Sequence, residues 1–134
     1  MEWRGTLRVI LDTHAVLWAT LSPAALSVTA AAIIADEGNE ILVSAASAWE
    51  IATKVRIGRL MGAESLEREF VEEMERAGYT LLSIRVEDAL RAGRLGGEHR
   101  DPFDRMIAAQ ALAFDIAVVS VDAMLNGFGI RRLW

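Results

Sequence analysis

Cysteine is absent from this chain of 134 residues, so no disulfide can staple it. Lysine is nearly absent too: Lys54 is the single lysine among fourteen basic residues, and arginine, whose planar fork suits bidentate phosphate contacts, supplies the rest. The most apolar stretch, Ala24 to Ala35, is interrupted by Ser27 and Thr29 and closed by Asp36 and Glu37, short of the roughly 20 residues a membrane span requires. The start, Met1-Glu2-Trp3-Arg4, lacks a cationic segment leading into an apolar one, which together with the missing cysteines points to a cytoplasmic location. There is no proline-rich, glycine–serine-rich or repeated tract to form a linker or disordered tail. Excess positive charge is also lacking. The formal net charge of −5 argues against a protein that binds nucleic acid by passive electrostatics alone.

What is there is globular, 53% hydrophobic and 25% charged, and its length suits one compact domain over 1–134. Arg8 to Leu11 is a short apolar run with β-branched residues that stops at Asp12-Thr13-His14, as a buried parallel strand does. Helices are expected over 15–20, then from Ser27 to about Asp36, before a second strand at Ile41-Leu42-Val43. A helix over 45–57 follows, with Trp49, Ala52 and Val55 as its apolar stripe and Trp49 in the core. An amphipathic helix from about Glu64 to Ala77 carries Leu66, Phe70 and Met74, and a third strand covers 80–84. Beyond a helix over 86–92, Pro102 opens a helix that runs to Phe114. A fourth strand at 116–120, a short turn over 122–125 and an edge strand at 130–134 complete the chain. Helices alternating with nearly continuous apolar strands indicate an α/β domain whose parallel sheet is covered on both faces. Such sheets bind ligands beyond the carboxyl ends of their strands.

Acids gather at that end. Asp12 follows the first strand, Asp122 lies just past the fourth, Asp104 sits in the first turn of the helix before the fourth, and Glu50 lies on the helix after the second. Each has a structural explanation of its own: Asp12 as a helix cap, Asp101 and Asp104 as a cap and its acidic partner, Glu50 as the i,i+4 partner of Lys54, Asp122 as a turn former. Together they suggest something else. Convergent carboxylates repel unless a cation joins them, and oxygen ligands suit magnesium or manganese. Such ions can hold a phosphodiester, acidify a bound water and stabilise a leaving oxygen.

Three segments carry a resemblance: Leu11-Asp12-Thr13-His14-Ala15-Val16-Leu17-Trp18; Ser44-Ala45-Ala46-Ser47-Ala48-Trp49-Glu50-Ile51-Ala52 with Gly58-Arg59-Leu60; and Arg100-Asp101-Pro102-Phe103-Asp104-Arg105 through Ala111. With Val119-Ser120-Val121-Asp122, and in this order, they resemble the PIN-domain family in its VapC-like toxin branch. The resemblance covers almost the whole chain, leaving residues 1–7 as an N-terminal extension to which it assigns no role. It implies a three-layer α/β/α domain with a parallel sheet in the order 3-2-1-4-5 and Mg2+- or Mn2+-dependent endonucleolytic cleavage of RNA. By motif position the metal-binding acids fall on Asp12, Glu50, Asp104 and Asp122, with Thr13 and Ser120 bracing the pocket and Asp101 either capping or joining it. The implied partners are a second copy of the chain and a VapB-like antitoxin whose tail occludes the pocket with an arginine. Two bound divalent ions would bring the charge from −5 to about −1, leaving Arg56, Arg59, Arg100 and Arg105 to guide the RNA backbone.

Three rivals can be weighed. His14 and His99 are the two histidines, and they could act as acid and base in metal-independent cleavage through the ribose 2′-hydroxyl. A phospho-accepting receiver domain is also a small parallel fold, but it needs an aspartate after the third strand, where Ser83-Ile84-Arg85 stands. A non-catalytic protein-binding module would use some of Trp3, Trp18, Trp49 and Trp134 as anchors.

Overall fold

The structure is a computed structural model that describes residues 7–134. Residues 1–6 of the N-terminal extension, Trp3 among them, lie outside the described residues. Strand β1 (Arg8–Leu11) is followed by α1 (Thr13–Leu21), a 3₁₀ turn at Pro23–Ala25 and α2 (Val28–Ala35). Strand β2 (Glu40–Ser44) runs into α3 (Ala45–Arg56), then α4 (Glu64–Arg68) and α5 (Phe70–Ala77) lead to β3 (Thr80–Leu82). Then come α6 (Val86–Arg94), α7 (Pro102–Phe114), β4 (Ala117–Val119), a 3₁₀ segment at Ala123–Phe128 and β5 (Arg132–Leu133).

The five strands form one sheet in the order β3-β2-β1-β4-β5, with every neighbouring pair parallel, as the sequence pattern and the resemblance lead one to expect. Alternation along the strands divides the core in two. Val9, Leu11, Val43 and Val119 face one layer with Val16 of α1, Ile51 of α3 and Met74 of α5. Ile10, Leu42 and Val118 face the other with Ile107, Ala108 and Ala111 of α7. Each fully buried aliphatic side chain contributes about 1.5–3 kcal/mol through removal from water, so the sheet is held from both faces. No helix among the described residues is long and apolar enough to cross a membrane.

Side-chain caps start four helices: Asp12 for α1, Ser27 for α2, Ser44 for α3 and Asp101 for α7. Each accepts a hydrogen bond from an otherwise unpaired first-turn amide. Gly78, at φ 81°, ends α5 in the left-handed conformation that costs glycine least.

Two expectations need correction. The helix from Glu64 to Ala77 is two helices, because Glu69 leaves helical geometry at φ −111° and ψ 27°; Leu66, Phe70 and Met74 nonetheless reach the same core. Trp49 is not core. It is 59% exposed and packs edge-on against Phe103 at 4.8 Å between ring centroids. The inward face of α3 is instead Ala46, Ser47, Glu50 and Ile51, one i, i+3, i+4 stripe with two polar members.

Behind the sheet end, Gln110 of α7 is fully buried and joins three elements. Its Oε1 accepts from Ser44 Oγ at 2.6 Å, and its Nε2 donates to the Ser83 carbonyl at 3.0 Å and to the buried Asp88 carboxylate at 3.2 Å. Replacing Gln110 with Leu keeps most of the volume but removes a partner from the Ser44 hydroxyl, the Ser83 carbonyl and the Asp88 carboxylate, the last of which keeps its bonds from Arg85. The expected result is a loss of about 2 kcal/mol in urea unfolding at an unchanged m value. A loss below about 0.5 kcal/mol would mean that water takes over these bonds.

Candidate active site

The site is built where β1 and β4 end. The Asp12 amide donates to the Val119 carbonyl at 3.1 Å, which carries the ladder one residue past the strand and turns the Asp12 side chain onto the rim. Its Oδ1 accepts the Ala15 amide at 2.8 Å, and its Oδ2 accepts the Ser120 hydroxyl at 2.5 Å. Ser120 Oγ in turn accepts the Asp122 amide at 3.0 Å, so one buried hydroxyl positions two acids. Asp122 spends Oδ1 on the Met124 amide at 2.9 Å. Beside them, Thr13 Oγ1 and Ser47 Oγ lie 3.1 Å apart and tie the start of α1 to the inner face of α3.

Glu50 comes from that inner face and is 4% exposed. Lys54 holds its Oε2 at 2.5 Å, the expected i,i+4 pair, but Oε1 is buried with no hydrogen-bond partner among the described residues. A buried carboxylate oxygen without a partner costs more than an exposed one. Asp104 stands in the first turn of α7, with Oδ2 2.8 Å from His99 Nε2. Asp101 caps the same helix, its Oδ1 accepting the amides of Phe103 and Asp104 at 2.9 and 3.1 Å.

The electrostatics follow from this crowding. Asp104 is pushed up to about 6, first by loss of hydration and then by the Asp101 charge, with His99 opposing and Glu50 adding. Asp12 is raised by burial, which outweighs the Ser120 and Ala15 hydrogen bonds and the His14 charge, and Glu50 raises it further. Glu50 therefore lies close enough to bias both aspartates. His99, Asp104 and Asp122 each offer a ligand atom within 4.8 Å of the others. This donor set, carboxylates that repel one another plus an unpartnered buried oxygen, fits a divalent cation that prefers oxygen.

Of the acids singled out in the sequence, Asp104 and Asp122 come together directly, Asp12 joins Asp122 through Ser120, and Glu50 reaches Asp12 and Asp104 by charge. Asp101 serves as a helix cap. Arg56, Arg59 and Arg100 are exposed. Arg105 lines an open cleft, and its nitrogens also donate to the carbonyls of Ala92 at the end of α6, Leu95 and His99, tying α7 to the segment before it. His14 is exposed and its ring lies against Trp18, whereas His99 is bonded to Asp104. Sequence reasoning did not place His99 among the ligand atoms; the signal available was its position five residues before Asp104. An open cleft lined by Gly93, Gly97, Glu98, His99, Arg100 and Arg105 adjoins the acids. It contains none of the four acids itself and shares His99 with the group of ligand atoms.

The family model described as PIN domain matches residues 9–129. Ribonuclease VapC16 of Mycobacterium tuberculosis (strain ATCC 25618 / H37Rv) is 45% identical over 53 residues, a match that spans 40% of this chain and 38% of that relative's length. Among solved structures, VapBC2 from Rickettsia felis bound to a promoter DNA fragment is similar at a TM-score of 0.68 and 13% identity, covering 95% of this chain and 98% of that one. VapBC-1 from nontypeable Haemophilus influenzae follows at 0.64 and 17%, covering 95% and 97%. At these identities the likeness is one of fold.

The raised Asp104 makes a stability prediction with a definite sign. A carboxyl whose folded pKa exceeds its unfolded value of 3.8 costs the fold nothing below that value and destabilises it progressively up to about 6. In chelator at pH 7, Asp104→Asn is expected to melt higher than the parent by on the order of 1 kcal/mol, allowing for partial solvent screening. The gap should close near pH 4. A variant that melts lower at pH 7 would show that the His99 bond and the helix-end position outweigh the repulsion.

Proposed function

The chain belongs to the PIN-domain family, and from that premise we propose that it is a Mg2+- or Mn2+-dependent endoribonuclease acting in the cytoplasm as the toxin of a VapBC-type pair. The observation that carries the reading is Glu50 Oε1. A fold that needed Glu50 only to bind Lys54 would leave that carboxylate at the surface; here it is buried with one oxygen unused, and its charge adds to the upward shifts of Asp12 and Asp104.

In this reading Asp12, Glu50, Asp104 and Asp122 hold the cation, which when bound supplies Lewis-acid stabilisation of the phosphodiester and an acidified attacking water. The chain's own contribution is position. Ser120 and the Ala15 amide fix the Asp12 carboxylate in one rotamer, and Ser120 also sets the backbone from which Asp122 projects. Lys54 binds Glu50 Oε2 and leaves Oε1 for the ion. Thr13 and Ser47 brace the wall between α1 and α3. The exposed Arg59 and Arg100 guide the RNA backbone and offset the negative rim, as steering charges do.

The name of the mycobacterial relative and the VapBC complexes among the structural neighbours support the toxin assignment. By the same analogy, the partners are a VapB-like antitoxin, which would present an arginine to the acids, and a second copy of this chain.

Two measurements test the reading. Purified protein free of antitoxin should cleave single-stranded or structured RNA, lose at least about a hundredfold in rate in excess chelator and recover with Mg2+ or Mn2+. Undiminished cleavage in chelator would move the chemistry to the histidines. Expression of the chain alone should slow growth, and Asp12→Ala should relieve the arrest at equal protein levels. Continued arrest by the variant would place the toxicity elsewhere.

A further inference from the structure

His99 sits in a stretch without regular secondary structure, yet its place is held from several sides. Arg105 Nη1 donates to its carbonyl at 3.0 Å, while Nε and the other terminal nitrogen of the same guanidinium bind the carbonyls of Ala92 and Leu95. The His99 ring lies 5.6 Å from that of Phe128, and the Arg105 guanidinium lies 5.6 Å from the same ring. Nε2 is thereby delivered 2.8 Å from Asp104 Oδ2.

That separation is about what two adjacent ligands of an octahedral ion need, since metal–oxygen bonds of about 2.1 Å set neighbouring donors about 3 Å apart. Asp122 completes a group whose atoms all lie within 4.8 Å, close to the roughly 4 Å between opposite ligands. Nearby, Glu50 Oε1 is nine-tenths and more buried with no hydrogen-bond partner among the described residues, and the Glu50 charge adds to the upward shift of Asp104.

Resting on the metal-dependent reading above, we propose that His99 is a direct nitrogen ligand to the cation, together with Asp104 and Asp122, and that it makes the site prefer Mn2+ to Mg2+. Magnesium favours carboxylate, carbonyl and water, and it dehydrates reluctantly. Imidazole suits transition ions, so one nitrogen among oxygens tilts the balance toward manganese. The role requires the neutral ring with its proton on Nδ1 and its lone pair on Nε2. The competing arrangement has the proton on Nε2, donated to Asp104, with no nitrogen on the ion.

The two differ in a signal that does not depend on catalysis. The 134-residue chain, purified without partner, would be loaded with Mn2+ and studied by pulsed electron paramagnetic resonance for coupling to an imidazole nitrogen. Calorimetry would measure Mn2+ and Mg2+ binding to the parent, His99→Gln and His99→Asp. The expected result is nitrogen coupling in the parent that vanishes in His99→Gln. Mn2+ binding should weaken at least about tenfold and Mg2+ binding by less than about threefold, and His99→Asp should shift preference toward Mg2+. Bound Mn2+ without nitrogen coupling in the parent overturns the ligand assignment and leaves the metal-dependent reading standing. Coupling that persists in His99→Gln assigns the nitrogen to His14 and also overturns it. Failure of the parent to bind either ion overturns both readings together.

Discussion

The rim of this sheet depends on one hydroxyl. Ser120 donates to Asp12 and accepts from the Asp122 amide, linking positions 108 residues apart in the chain. The bond exists because β1 and β4 are parallel neighbours in register, Leu11 opposite Val119, so both strands deliver their next residues to the same edge. Antiparallel pairing would have sent Asp12 and Ser120 to opposite ends. With this bond come a fixed carboxylate just past β1 and a turn that leaves an Asp122 carboxylate oxygen within 4.8 Å of ligand atoms of Asp104 and His99.

Burying acids in this way works against the fold. Asp12 and Asp104 are both shifted toward protonation, and Glu50 carries an oxygen with no partner. The opposing contributions lie nearby in the structure. Aliphatic packing on both sheet faces and the Gln110 network behind the edge hold the strand ends in place. Arg105 binds the carbonyls of Leu95 and His99 in the loop before α7 and of Ala92 at the end of α6, so a segment without regular secondary structure presents His99 to Asp104. A protein whose site is destabilised by its own charges is expected to draw stability from the surrounding scaffold.

The acidic net charge is consistent with this arrangement. Part of the negative charge lies in the cluster at the sheet edge, where a cation would neutralise it, while Arg59 and Arg100 stand outside it and exposed. Local distribution, not the total, governs how such a surface meets a phosphate backbone.

Much was legible from the chain alone. Strand runs ending in Asp12 and near Asp122, caps at Ser27 and Asp101, and the alternation of strands with helices are local patterns, and the sheet order followed once the motifs were seen in sequence. What stayed hidden is instructive. Apolar periodicity placed Trp49 inward, but the buried stripe of α3 includes Ser47 and Glu50, since a helix face turned to a polar site does not advertise itself by hydrophobicity. The single amphipathic helix expected over 64–77 is broken into two at Glu69, a departure no propensity marks. The carbonyl partners of Arg105 at Ala92, Leu95 and His99 were not legible, because only the packed chain brings that segment against α7. His99 read as one of two histidines, and its company with Asp104, Asp122 and Phe128 arises from the meeting of three segments. Local sequence set which residues are helix, strand or cap, through propensity and periodicity that act over a few positions. Tertiary structure decided which side chains share a site, because proximity between distant segments depends on strand register and loop anchoring.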